Sequence, residues 1–116
     1  MSSKIVFLFL LASVVYFWYS KKSDSVDFKQ KIKEGAIILD VRSPGEFASG
    51  HIENSINIPV NDLSTHLDKI PNKEQVIITC CASGMRSAKA RNILQSNNYI
   101  QVYNGGGWAS LQNKIR

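Results

Sequence analysis

The chain has 116 residues, 14 Lys and Arg against 9 Asp and Glu, and two cysteines. This length suits one domain with a core that needs no cross-links, and the adjacency of Cys80 and Cys81 excludes a long-range disulfide framework. With only His51 and His66 beside them, zinc-ligand spacing is absent, and the formal charge of +5 comes without the aromatic-interleaved basic stripe that nucleic-acid binding needs.

In chain order, Ile5 to Tyr19 is free of charge and closes on Tyr16, Phe17, Trp18 and Tyr19, as an interfacial aromatic belt would. The run falls a little short of the ~17–25 residues of a spanning helix. Counting residues 1–20, with Lys4 snorkelling, brings it within reach of a thin bilayer. A cleaved secretory signal is the alternative, giving an exported domain. Its n-region would hold only Lys4, however, and bulky aromatics and Lys21-Lys22 stand where a small-residue cleavage site belongs. The expectation is an uncleaved single-pass anchor over 1–20, a linker over 21–25 and a domain over 26–116. Lys21, Lys22, Lys29, Lys31 and Lys33 follow the run while only Lys4 precedes it, which puts the domain on the cytoplasmic side of a cell (inner) membrane. Two thiols with no distant partner agree with a reducing compartment.

Val26 to Glu34 reads as a helix with Phe28 and Ile32 on one face, stopped by Gly35. Ala36 to Val41 reads as a strand covered on both faces. Ser43-Pro44-Gly45-Glu46 is a capping box with proline at the first helical position, which predicts a short helix from Pro44 to about Ser49. Ser55 to Ile58 is a brief strand ended by Pro59. Asn61 is set to cap a helix from Asp62 to Ile70 with Leu63, Leu67 and Ile70 as its apolar stripe. Val76 to Cys80 is a central strand, Ser87 to about Ser96 a helix ended by Asn97 or Asn98, Gln101 to Tyr103 a last strand, and Trp108 to Ile115 a final amphipathic helical segment.

Strands alternating with helices predict an α/β domain: a parallel central sheet with helices on both faces, preceded by the N-terminal transmembrane helix. Ligands of such sheets bind outside the carboxyl ends of strands, and Cys81 falls at one. From Cys81 to Arg86 the chain passes from strand to helix, so backbone N–H groups and a helix N-terminus converge there into an anion pocket. A thiol in that cradle, with Arg86 nearby, loses its proton easily. Neighbours in a strand point to opposite faces, so Cys80 is expected in the core rather than as a resolving thiol.

Three segments in the right order resemble the rhodanese (thiosulfate sulfurtransferase) family. They are the loop Cys81-Ala82-Ser83-Gly84-Met85-Arg86; Ile38-Leu39-Asp40-Val41-Arg42-Ser43-Pro44-Gly45-Glu46-Phe47 with Gly50-His51-Ile52 and Ile56-Asn57-Ile58-Pro59; and Val102-Tyr103-Asn104-Gly105-Gly106-Gly107-Trp108. The resemblance covers roughly Val26 to Ile115. Asn54 and Ser55 replace the family's usual glycine and alanine, and Cys80 an aromatic or aliphatic residue. Asn tolerates a left-handed turn, so the turn survives.

The resemblance implies a single rhodanese-like domain that moves sulfane sulfur. Cys81 would attack the outer sulfur of a donor such as thiosulfate and carry it as a persulfide to a thiol or, in the test tube, cyanide. Ala82, Ser83, Gly84, Met85 and Arg86 would bind the substrate, with Arg86 on the donor's sulfonate, and Asp40 and Arg42 would support the loop. The six-residue loop resembles sulfur-transferring members; the phosphatase and arsenate-reducing relatives carry one residue more. No metal or cofactor is implied. The partners are a small sulfur donor, a thiol acceptor that could be a protein, and the membrane. The other reading is a non-catalytic rhodanese-like module recruiting a partner protein to the membrane. Glu46 is accounted for as the capping-box partner, His51 as a turn-stabilising hydrogen bonder and Trp108 as core packing.

Overall fold

The structure, a computed structural model, describes residues 25–116. The expected anchor at 1–20 and all of the linker except Ser25 lie outside the described residues. Among those described, no helix is long and apolar enough to cross a membrane.

The elements are α1 (Phe28–Lys33), β1 (Ile37–Asp40), α2 (Pro44–Ser49), β2 (Ile56–Asn57), two 3-10 turns (Val60–Thr65 and Leu67–Lys69), β3 (Ile77–Cys81), α3 (Met85–Ser96), β4 (Val102–Gly107) and α4 (Trp108–Ile115). The four strands form one sheet in the order β2-β1-β3-β4, with every pairing parallel. Parallel pairing needs a crossover between neighbours, which is why helices and turns separate the strands and cover both faces.

Side-chain alternation divides the core in two. Leu39, Val41, Ile77 and Cys81 join Leu63, Ala90, Leu94 and Tyr99 under α3 and the 3-10 turns. Ile38, Ile78 and Cys80 join Leu111 on the opposite face, against Phe28, Ile32 and Ile115 of α1 and α4. The two cysteines thus point to opposite faces, as period-two geometry requires.

Most expected elements are present with shifted ends. Asp27 caps α1 by accepting from the Gln30 N–H, and Ser43 and Glu46 complete both halves of the capping box that starts α2. Asn54 (φ 67°) and Asn98 (φ 70°) take left-handed conformations in their turns. The helix expected from Asp62 to Ile70 is instead two 3-10 turns joined at His66. In an α-helix the Asp62 carbonyl would accept the His66 N–H. Here Thr65 Oγ1 donates to it at 3.0 Å and His66 Nδ1 lies 2.8 Å from it, while the His66 N–H turns to Leu63 O. Local side-chain bonds have outcompeted the helical ladder. The apolar stripe still meets its purpose, with Leu63 and Ile70 buried. The last strand runs to Gly107, well past Tyr103, because Asn104 to Gly107 continue alongside β3 with a register shift between Thr79 and Cys81.

Candidate active site

Cys81 is the last residue of β3, and α3 begins at Met85, two residues earlier than its sequence pattern predicts. The connecting loop is therefore only Ala82 to Gly84, and Met85 and Arg86 belong to the first helical turn. Gly84 stands at the N-cap with φ 106°, a left-handed value that a side chain would strain, and it has no side chain with which to cap the helix. The Cys81 sulfur takes that role. Gly84 N–H points to Sγ at 3.0 Å and Ser87 N–H at 3.4 Å. These are donors that the start of a helix leaves without partners, and here they converge on one atom.

Ser87 adds a hydroxyl, 3.5 Å from Sγ. The thiol, while protonated, donates to this hydroxyl, whose own proton is shared between Asn104 Oδ1 at 2.6 Å and Gly84 O at 3.0 Å until an ionised sulfur competes for it. Gly106 N–H donates to the same Asn104 Oδ1 at 2.9 Å, which fixes that amide with its oxygen toward Ser87. The glycine turn of β4 thereby reaches the Cys81 sulfur through Asn104 and Ser87. It also presses on the loop itself, since a Cβ on Gly107 would lie 2.8 Å from Ala82 O.

These contacts set the chemistry of the sulfur. Burial alone pushes the Cys81 thiol up. The hydrogen bonds from the Ser87 hydroxyl and N–H, and from the Gly84 and Ser83 N–H groups, outweigh it and hold the thiol below its ordinary value. Cys80 has no such donors. Burial, reinforced by the charge of Asp40 and only partly offset by Arg42, pushes it up to about 12. One residue of displacement separates a thiol held below its ordinary value from one pushed well above it.

Arg86 reaches across to α2. Its Nη1 and Nη2 donate to Glu46 Oε1 at 2.7 Å and Oε2 at 3.0 Å, a two-point pair with both side chains a little over a third exposed. Hydrogen bonding to Arg86, backed by the Ser43 cap, holds the Glu46 carboxyl at about 2. Glu46 thus serves two masters, the α2 cap and the arginine of the loop.

Asp40 and Arg42 lie beneath this pair as a buried ion pair, Nη2 to Oδ2 at 2.7 Å. The Arg42 guanidinium also donates to Gly50 O at 2.7 Å and Glu46 O at 3.3 Å, and it lies over the Trp108 ring with its carbon 4.7 Å from the centroid. It ties the middle and the C-terminal end of α2 to the sheet and so fixes the backbone that carries Glu46. His51 accounts for its own position, with Nδ1 2.7 Å from Phe47 O and its ring stacked on Phe47. Ala82, Ser83 and Met85 are exposed at the mouth, Met85 at 82 %.

A strand-end cysteine under converging N–H groups on a parallel four-stranded sheet has clear relatives. The rhodanese-like domain family matches residues 24–114. The chain belongs to that family. A sulfurtransferase from Allochromatium vinosum is 33% identical over 92 residues, covering 74% of this chain and 85% of that one. The thiosulfate sulfurtransferase PspE of Escherichia coli is 31% identical over 70 residues, covering 60% and 67%. The uncharacterized protein YqhL of Bacillus subtilis is 29% identical over 124 residues and spans 100% of this chain and 98% of its own. Among solved structures, a human single-domain sulfurtransferase superposes with a TM-score of 0.67 at 26% identity, covering 75% of this chain and 90% of that one. A rhodanese with anions from E. coli gives 0.62 at 28%, covering 66% and 91%.

The rhodanese-like fold brings the Gly84 and Ser87 N–H groups to the Cys81 sulfur, with Ser83 adding to them, whereas the Arg86 guanidinium is held by Glu46 and Asp40 and Arg42 pair with each other in the interior. Three participants escaped the sequence reading. Ser87 was visible only as the first residue of an expected helix; had the helix been started at Met85, Ser87 would have stood at the third position, where an N–H seeks a cap. Asn104 and the Glu46–Arg86 pair join residues 17 and 40 positions apart, and no local pattern signals either.

Proposed function

We propose that this chain is a sulfurtransferase that carries sulfane sulfur on Cys81. The observation that supports it is the donor set around one buried sulfur, which stabilises a thiolate and would equally hold the terminal sulfur of a persulfide. In the first step the Cys81 thiolate attacks the outer sulfur of the donor. The Sγ–S bond forms, the donor's S–S bond breaks, and sulfite or a thiolate leaves with the electron pair. In the second step an acceptor thiolate or cyanide attacks the outer sulfur of the Cys81 persulfide, and the original thiolate returns. The two half-reactions balance without an oxidant or a cofactor. A module that only recruits a partner has no use for backbone donors gathered on one sulfur in this way.

The domain is proposed to work at the cytoplasmic face of a membrane, on the strength of the uncharged run Ile5 to Tyr19 and the lysines that follow it. Membrane fractionation of the expressed chain tests this, and recovery in the soluble fraction would overturn it. For the chemistry, the detergent-solubilised full chain is treated with thiosulfate or with glutathione persulfide and its mass measured. One added sulfur, lost on adding cyanide and absent in Cys81→Ser, is the expected result. An unchanged mass with both donors would refute the sulfurtransferase reading.

A further inference from the structure

We infer that Glu46 is a specificity-determining residue that turns the site away from dianionic donors such as thiosulfate and toward alkyl persulfides. The inference rests on the sulfurtransferase reading and names its donor class. Between Cys81 and Arg86 the chain offers Ala82, Ser83, Gly84 and Met85, so Arg86 is the one cation of the loop. Both of its terminal nitrogens are held by the Glu46 carboxylate at 2.7 and 3.0 Å. Arg42, buried beneath the site, is spent on Asp40. With Cys81 ionised, the group Cys81, Arg86 and Glu46 carries one net negative charge, and a sulfonate entering beside it meets a guanidinium already matched to a carboxylate.

An alkyl persulfide needs none of that charge. It presents its terminal sulfur to Sγ, carries at most one negative charge, and leaves as a thiolate toward the mouth, where Met85 offers an exposed apolar side chain. Backbone N–H groups suffice to hold the sulfur that is transferred. The donor's charge, rather than its sulfur chemistry, is what Glu46 discriminates.

Glu46→Gln separates this role from the helix cap. Glutamine keeps the oxygen that accepts from the Ser43 N–H and hydroxyl, and it loses the charge together with the oxygen that accepts from Arg86 Nη2. The test compares kcat/KM for thiosulfate and for 2-hydroxyethyl persulfide, whose one ionisable group is the persulfide itself, with cyanide as acceptor, in the full-length chain and its variants. The parent is expected to prefer the persulfide. Glu46→Gln is expected to raise kcat/KM for thiosulfate about tenfold, mainly through KM, as removal of one partly screened like charge should. The persulfide value should change by less than about twofold, because that donor has little charge to sense. Raising the salt should narrow the gap between the two proteins for thiosulfate alone. Ser43→Ala, which breaks the cap and leaves the charge, should not move the donor ratio. An equal loss with both donors in Glu46→Gln would make Glu46 a positioning residue for Arg86 and overturn the inference, as would an unchanged ratio. Failure of the parent to take sulfur from either donor would instead refute the underlying reading.

Discussion

Cys80 and Cys81 are consecutive residues of one strand, both out of contact with solvent, and nothing in their covalent chemistry distinguishes them. The sheet does. Cys80 faces α1 and α4 among aliphatic side chains and beside the buried Asp40, where an ionised sulfur has no donor to meet. Cys81 faces the start of α3, where a helix has N–H groups left over. The difference teaches that burial by itself does not decide the state of a thiol. What decides it is whether the surrounding backbone has unspent donors.

The sharpest way to test this contrast is to remove each sulfur in turn. Cys81→Ser is expected to lower sulfur transfer by at least about 10³-fold, because the nucleophile itself is lost. Cys80→Ser should keep the rate within about threefold while costing about 1–3 kcal/mol of stability, since a hydroxyl is buried among apolar groups. Parallel activity and urea-unfolding measurements check both. Equal loss of activity in two well-folded variants would erase the distinction.

A second test weakens the cradle from its far side. In Gly107→Ala a Cβ would be placed 2.8 Å from Ala82 O, so the loop or β4 must shift. A destabilisation of about 1–3 kcal/mol is expected, as for other overpacked sites. Thermal unfolding reads the stability, and activity falls with it because the same loop carries the donors to Sγ.

Smaller still is the effect of Ser87→Ala, which takes one hydroxyl from the sulfur and leaves the N–H groups in place. The Cys81 thiol is lowered by these bonds, so losing one moves its ionisation to higher pH. The rate is expected to fall about fivefold at neutral pH and to recover as the medium becomes more alkaline, which a pH–rate profile reads directly. The pH dependence of Cys80, already pushed up by burial, should not follow it.

The least effect belongs to the rim of the site. Glu46 is depressed from 4.5 to about 2, so its pairing stabilises the fold above pH about 4.5 and the contribution fades as the pH falls toward 2. The difference in melting temperature between the parent and Glu46→Gln should close over that window. It should be small throughout, as for other half-exposed pairs.

Much of the contrast between the cysteines was legible before any coordinates. Period-two alternation separates them, a β-branched run ending at Cys80 announces a buried strand, and Ser43 three residues before Glu46 announces the start of α2. These signals work because each is local and tied to one backbone geometry. The 3-10 turns were not legible, since Leu63, Leu67 and Ile70 satisfy a helical stripe whether or not Asp62 O is taken by Thr65 and His66. Nor was the partner of Arg86. No local pattern pairs Arg86 with a carboxylate of another element, and that pairing depends on how Arg42 seats α2 on the sheet.

The sulfur that caps α3 gives the helix a stake in the chemistry of Cys81. Any reagent that turns this atom into a poorer acceptor, an alkylating agent for instance, withdraws the partner of the Gly84 and Ser87 amides. Their hydrogen exchange should then quicken, while that of residues deep in α3 stays unchanged. A persulfide, which keeps sulfur electron density over the same amides, should leave them protected. The first turn of α3 is in this sense a backbone reporter of the chemical state of the Cys81 sulfur.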